Sequence, residues 1–537
     1  MARELSKRLT ITGTLQAQMP LHVGGLPDNP EEDMPLAKNG RGELYVPGTS
    51  LAGVFRAWME RHFNQTQILD ELWGFQETPK NHEKPKGTAS RLFVEEAKIT
   101  LPKGLPEELW DSVGIERRWG TAAEGKKFDR TVLPKGTQLD LCLQIDLPKE
   151  TAQENTIRAM LGYLIKALEA GQMVLGAATT RGLGQVKLLS PQLREVDWTD
   201  KTAILQWLKN NCIINNLDYN LLIEADKNLV CRPPEILHVT IDWTPVGPLM
   251  TKASYDGMAV DMLPKVSGFD GGKIALVLPG SGLKGAFRSQ AERIVRTVFK
   301  STDLSEDWLE QVQVPLVDYL FGSAKQASQN VEEFKEVKEP QPVAPGKACL
   351  TVQTCYATNA ICSTEQWQHI EAAQTSETSN PLYEAFKGAN LRKSPYFEQG
   401  FHVGIDRWTG GAAEGFLYSA IEPFGVTWEP IKMRLDLSDH RLPCELQNSA
   451  LVLLLLLLRD LSEQRLPIGF GVNRGYGTLK VNKVTFHWEK TDESENQHWL
   501  EGKSLQAPFS LNDLPKTEMQ TLQSDWQNWI EECNHGC

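Results

Sequence analysis

The chain repeats itself, and this constrains its fold more than any other feature. Gly48–Arg56 reads GTSLAGVFR and Gly280–Arg288 reads GSGLKGAFR, each after a proline (Pro47, Pro279) and a short apolar segment. Three more pairs follow in the same order. Leu72–Phe75 (LWGF) matches Leu320–Ser323 (LFGS), Glu116–Gly125 (ERRWGTAAEG) matches Asp406–Gly415 (DRWTGGAAEG), and Gly176–Leu188 (GAATTRGLGQVKL) matches Gly469–Val481 (GFGVNRGYGTLKV). Upstream, Asp33–Leu36 (DMPL) pairs with Asp261–Pro264 (DMLP). Collinear matches of this kind mean that one supersecondary design occurs twice. The offset between the copies grows from 228 residues at the aspartates to 293 at the last motif, so the second copy carries insertions.

Each copy alternates strand and helix signals. An opening strand (LTITGTLQA or LHVTIDWTP) leads to a Gly-bearing loop. A second apolar segment ends at the proline, and the G-[TS]-x-L-x-G turn starts a helix. In the first copy Leu51, Val54, Phe55 and Trp58 recur at helical spacing. Further strands follow, among them the alternating Leu139–Leu147. A late helix, Ile157–Ala170 or Ala450–Gln464, precedes a Gly-rich turn and a closing strand. This β-α-β-β-α-β order predicts an α+β chain of two tandem ferredoxin-like, RRM-like modules, each a sheet with helices on one face. Modules of that layout bind single strands on the open face. The expected boundaries are a first module over 1–190, a linker over 191–234, a second module over 235–488 with an insertion at about 324–400, and an acidic tail over 489–537 that solvates the protein or contacts another.

Composition narrows the functional classes. The formal net charge is −13, against a free-standing, non-specific nucleic-acid binder, though not against one whose cations line a groove. The longest apolar run, Ala450–Leu458, is too short to span a membrane and reads as a buried helix. The N-terminal residues hold no signal-peptide-like apolar run, so a cytoplasmic chain without membrane partners is expected. Nine scattered cysteines make no CxxC pair, which points to reduced thiols rather than a zinc site. Cys349, Cys355 and Cys362 are the closest approach to a metal-binding group.

Several motifs suit a sugar–phosphate chain. Ser50 and Ser281 stand where a hydroxyl can cap a helix start, glycines admit close approach, and exposed N–H groups there favour phosphate. Arg56 lies in the first turns; in the second copy Lys284, Arg288, Arg293, Arg296 and Lys300 follow. The Gly-rich turns hold Arg181 and Arg474, each followed by a strand, which argues against a dinucleotide fingerprint. Arg117, Arg118, Lys126 and Lys127, with Arg407 in the second copy, sit on a segment that reads as an extended hairpin arm. The plainer readings are solvated charges, a surface loop and a hairpin turn. Asp33 and Asp261 lie in Pro/Gly-rich loops, where a carboxylate can orient a ribose 2′-hydroxyl, take its proton or hold a divalent metal. Asp28, Glu31 and Glu32 lie near the first; Asp256 and Asp270 flank the second.

At these residues the sequence resembles the RAMP-superfamily backbone subunits of type III CRISPR effector complexes, here as a tandem fusion. The resemblance rests on the GTSLAGVFR, ERRWGTAAEG and GAATTRGLGQ motifs with their second copies, and spans about 8–190 and 237–488. It implies an RRM-like core, stacking along a guide crRNA beside other subunits, and a β-hairpin thumb that displaces a base at intervals. It also implies that an aspartate in the loop before the helix, Asp33 in DMPLAKN and Asp261 in DMLPKVS, cuts complementary target RNA with a divalent metal, Mg2+ or Mn2+. The second loop is remodelled, with SYDGMAVD in front, which makes Asp256 a substitute candidate. Base displacement lets the 2′-hydroxyl attack its own phosphate in line, giving a 2′,3′-cyclic phosphate and a 5′-hydroxyl.

Three readings compete. One is a guide-RNA scaffold that cuts nothing; metal dependence in the assembled complex discriminates it. Another is a guide-processing endoribonuclease of the same superfamily using His22 or His402, which do not occupy matching repeat positions. The third, an unrelated metabolic enzyme, has no triad, nucleotide loop or metal cluster behind it.

Overall fold

A computed structural model of the chain describes residues 6–26, 32–76, 87–209, 215–232, 234–254, 256–301, 304–323, 346–374, 381–392, 396–438, 442–489 and 499–535. The chain divides into two compact units. The first holds residues 1–108, 130–179 and 183–234; the second holds 109–129, 180–182 and 235–537.

In the first unit, β1 (Lys7–Ala17) buries Leu9, Ile11 and Leu15. The turn after Pro47 opens α1 (Gly48–His62), whose Leu51, Phe55 and Met59 recur every four residues and are fully buried. Burial of each such side chain stabilises the fold by about 1.5–3 kcal/mol. Then come β2 (Ala97–Thr100), the hairpin strands β3 (Glu108–Ile115) and β4 (Ala122–Val132), whose residues 109–129 belong to the second unit, and β5 (Gln138–Leu147). The second helix, α2 (Thr151–Glu169), buries Ile157, Met160, Leu161, Leu164 and Leu168, and β6 (Gln185–Asp197) closes the sheet. Antiparallel pairing gives the order β6-β1-β5-β2. In the numbering of a four-stranded ferredoxin-like sheet this is 4-1-3-2.

The segment expected as a linker folds with this unit. Strand β6 keeps its pairing with β1 out to Asp197. Helix α3 (Lys201–Leu208) is capped by Asp200, and α4 (Tyr219–Ile223) packs on α2 at Gly162, where any Cβ would meet Ile223 and Leu222 below 3.0 Å.

The second unit repeats the topology. It has β7 (Ile236–Pro245), β8 (Lys273–Leu278), α5 (Gly280–Val298), β9 (Leu350–Val352), the hairpin strands β10 (Tyr396–Ile405) and β11 (Ala412–Phe424), β12 (Ile431–Asp436), α6 (Cys444–Ser462) and β13 (Leu479–Glu489). The order β13-β7-β12-β9 is again 4-1-3-2. Helix α5 buries Leu283, Phe287 and Ala291 at the positions of Leu51, Phe55 and Met59. A register shift between Thr12 and Thr14 recurs between Asp242 and Trp243, so even the irregularity of the opening strand is duplicated.

The apolar run of α6 is buried on nearly all sides because a C-terminal helix, α7 (Lys516–His535), lies against it. Asn448 donates to Asp525 at 2.7 Å, and Leu522 and Trp529 are buried. The described part of the acidic tail therefore packs on its own chain. Among the described residues, no helix is long and apolar enough to cross a membrane.

Candidate nucleic-acid interface

The two hairpins have matching tips. Glu116 N–H donates to Thr121 and Gly120 N–H to Glu116; Asp406 N–H donates to Gly411 and Gly410 N–H to Asp406, all at 2.8–2.9 Å. The matching carboxylates, Glu116 and Asp406, also accept from the N–H groups of Trp119 and Trp408 at 2.8 Å. Both indoles stand in solvent, Trp119 at 76% and Trp408 at 96% exposure. Exposed aromatic tips suit stacking on a base, worth about 1–3 kcal/mol per base. The motif pairing contains both tryptophans but aligns them one residue apart, so sequence comparison alone passes over them.

The hairpin cations divide. Arg117 is a correction to the expected contacts: it forks onto Glu292 of α5 at 2.6 and 3.2 Å, donates to Ile115 O at 2.7 Å, and is 13% exposed. Arg118 donates to Ser305 O at 2.7 Å. Lys126 is exposed, 5.6 Å from the Trp308 ring centroid, and Lys127 is exposed with Asp111 at 3.3 Å. Arg407, the position matching Arg117, is exposed.

At the helix starts the expected serine cap is absent. Pro47 and Pro279 occupy the cap position and make no side-chain cap bond, so Ser50 and Ser281 lie inside the first turn, half-buried. Gly53 and Gly285, at matching positions one turn in, have nothing within 4 Å of where a Cβ would lie. A helical glycine costs about 1 kcal/mol against alanine. Two such surface glycines leave the backbone open to close approach at the same place in both copies.

Two more expected contacts are corrected here. The Lys284 side chain is buried and donates to Leu350 O at 2.7 Å and Thr180 O at 3.3 Å; burial first, then Arg181 and Arg288, hold its pKa well below the usual lysine value. Arg288 is consumed by Glu292 (2.8 Å), Asp318 (2.9 Å), and the carbonyls of Gly322 and Val312. Arg56 stays half-exposed beside Glu60 at 2.7 Å.

The Gly-rich turns are built alike. A short 3-10 turn carries Arg181 or Arg474, and Gly184 and Gly477 have positive φ (88° and 79°) where a Cβ would overlap Leu175 O or Ile468 O. These glycines answer to backbone packing. The arginines do not: both are exposed. Arg474 lies 4.8 Å from the Phe470 centroid and 5.2 Å from Tyr418, to whose hydroxyl it also donates. The crowding around Arg181 and the nearby Arg288 charge lower its pKa.

Beside Arg474, Glu422 bonds both His402 (3.1 Å) and the Tyr476 hydroxyl, and Tyr476 lies 3.0 Å from His402. Burial and Glu422 raise the Tyr476 pKa. The matching first-copy positions are Ser112, Val132 and Leu183, so the network belongs to the second copy alone. His22 is buried against Thr131 O at 2.7 Å, and burial lowers its pKa.

The two loop aspartates differ. Asp33 is exposed, on a loop pinned to the hairpin base by Thr131 N–H to Met34 O at 3.1 Å and by the Thr131 hydroxyl to Glu32 at 3.2 Å. The matching tie in the second copy is Ile421 N–H to Met262 O at 2.9 Å. There Asp261 Oδ2 accepts from Ser419 N–H (2.8 Å) and its hydroxyl (3.3 Å), and Asp256 pairs with Lys252 at 2.9 Å. Asp28 and Glu31 lie outside the described residues. Among the described residues, no three His, Cys, Asp or Glu side chains converge to hold a metal, at the cysteines or at either aspartate.

A family model described as the RAMP superfamily matches residues 14–187 and 275–480, one span on each copy and more than half of the chain together. No curated protein matches the chain.

Proposed function

The chain belongs to the RAMP superfamily, and from that membership we propose that it is a backbone subunit of a type III CRISPR effector complex that holds a guide RNA and cuts the paired target. Members of the superfamily are CRISPR-associated, bind guide RNA and act in multisubunit complexes. The observation that carries the finer reading is the duplicated hairpin with an exposed indole at each tip. Two stacking elements at matching positions of tandem modules suit one continuous strand with a base unstacked at each. The exposed Arg181 and Arg474 and the open glycines at 53 and 285 supply charge and close backbone approach for its phosphates.

Cleavage needs no external nucleophile. With a base displaced, the ribose 2′-hydroxyl swings in line with its own 3′-phosphate, an arrangement stacked RNA forbids; orientation of this sort contributes several kcal/mol. Asp33 takes the hydroxyl proton, the 2′ oxygen bonds phosphorus, and the 5′ oxygen leaves with a proton from water. A cyclic phosphate and a 5′-hydroxyl result. A divalent metal would be held by Asp33 together with oxygens of the RNA's own phosphates and would offset charge on the transition state; among the described residues no three protein ligands converge there. In the second copy Ser419 holds one oxygen of Asp261, and the other would take the proton.

The test is target cleavage by the assembled complex. Asp33→Ala removes one cut by at least about a hundredfold, the low end for general-base removal, with RNA affinity within about twofold of wild type. Asp261→Ala leaves that cut in place. Loss of every cut, or of none, in the Asp33 variant contradicts the assignment.

A further inference from the structure

We infer that the C-terminal half of α5 carries a phosphate-binding pocket that is separate from the repeated strand-binding features. A cavity of about 560 Å³ opens there, lined chiefly by Arg117, Ser289, Arg293, Arg296, Thr297 and Lys300. That volume lies within the roughly 300–1,000 Å³ of small-ligand sites. The α5 residues fall at spacings of three and four, on one helix face.

The charge balance is uneven. Four cations line the cavity against one carboxylate, Glu292. That carboxylate is fully buried, gripped by Arg117 and Arg288, with Arg296 at 3.9 Å. It holds Arg117 and Arg296 in place without cancelling the surplus. Arg293 and Lys300 are exposed, and their side chains make no ion pair or hydrogen bond among the described residues. Fixed guanidinium groups, hydroxyls at 289, 297 and 301, and two available cations are the donor set that a phosphate's oxygens require.

The repeat shows that this is not part of the shared grip. In the first copy the positions matching Ser289, Arg296, Thr297 and Lys300 are Ala57, Asn64, Gln65 and Ile68, and of the cations on the helix face only Arg293 has a counterpart, Arg61. A feature present once in a duplicated chain serves a single phosphate group, that of a free nucleotide or of one point on an RNA strand.

Calorimetric titration of the full-length chain with inorganic phosphate, adenosine 5′-monophosphate and a short unstructured RNA tests this. Arg293→Glu with Lys300→Glu is expected to weaken at least one of the three by tenfold or more, while Lys480→Glu with Lys516→Glu, reversed elsewhere on the surface, does not. Loss confined to phosphate and nucleotide identifies a free nucleotide; loss that includes RNA identifies the strand. Arg293→Ala with Lys300→Ala gives the same ranking, with an unchanged unfolding midpoint. Unchanged affinity for all three ligands, or an equal loss in the surface control, overturns the pocket. RNA binding by the wild-type chain is read in the same titrations, so failure of the strand-binding reading is seen separately.

Discussion

The two hairpins share a tip, yet their surfaces differ in character. In the first, Asp111 pairs with Lys127 and Lys126 faces Trp308. Its base is held by Lys265 on Leu109 O at 2.6 Å, and Gly114 lets Trp308 close over the strand, where any Cβ would lie 2.8 Å from the indole. In the second, the matching positions are Phe401, Leu417 and Phe416, all exposed; Val403 and Ile405 beside them are exposed in common with their first-copy counterparts, Val113 and Ile115. A contiguous exposed apolar face marks a protein contact. The lesson is that a duplicated element keeps its backbone while its sides adapt: one hairpin is seated on elements of its own chain, and the other leaves an apolar side exposed.

The largest expected effect attacks the seat of the first hairpin. Glu292→Ala leaves Arg117, Arg288 and Arg296 crowded without their carboxylate, and removal of one partner of a buried pair costs about 3–5 kcal/mol. Glu60→Ala, the same position in the first copy, breaks only a half-exposed pair and costs under about 1 kcal/mol. Urea unfolding compares them, and equal losses break the comparison. Next, Phe401→Asp with Leu417→Lys gives the second hairpin the first one's charged pair. Folding persists, and assembly with neighbouring subunits weakens by about 2 kcal/mol or more, the scale of an interface hot spot. Unaltered assembly, measured by co-purification, removes the apolar face from the contact.

The smallest effect is a pH slope. The unfolded chain keeps the Lys284 proton to higher pH than the folded one, because burial depresses the folded pKa. Stability therefore rises as pH climbs from the depressed folded value toward about 10, where the unfolded lysine also titrates. Lys284→Ala, which restores the residue found at Ala52, flattens this rise. An unchanged slope in thermal unfolding contradicts it.

Much of the fold was legible because core positions recur in the motifs. Leu51, Phe55, Leu283 and Phe287 sit in repeated text and pack identically. The site was less legible because an arginine's sign says nothing of its partner. Glu292 lies one turn after Arg288 and was visible in the sequence, but Asp318 reaches Arg288, and Arg117 reaches Glu292, only through the fold. Ser50 and Ser281 matched a capping pattern, yet the extended prolines at 47 and 279 start the helices earlier. The linker and tail looked like punctuation because neither belongs to the repeat; Leu222 and Trp529 are buried nonetheless.

The most direct test of two hairpins on one strand is ultraviolet crosslinking of the native assembled complex, with the crosslinked peptides mapped by mass spectrometry. The account predicts RNA attached to the peptide holding Trp119 and to the peptide holding Trp408. A complex without RNA, or one whose crosslinks fall entirely outside both tips, contradicts it.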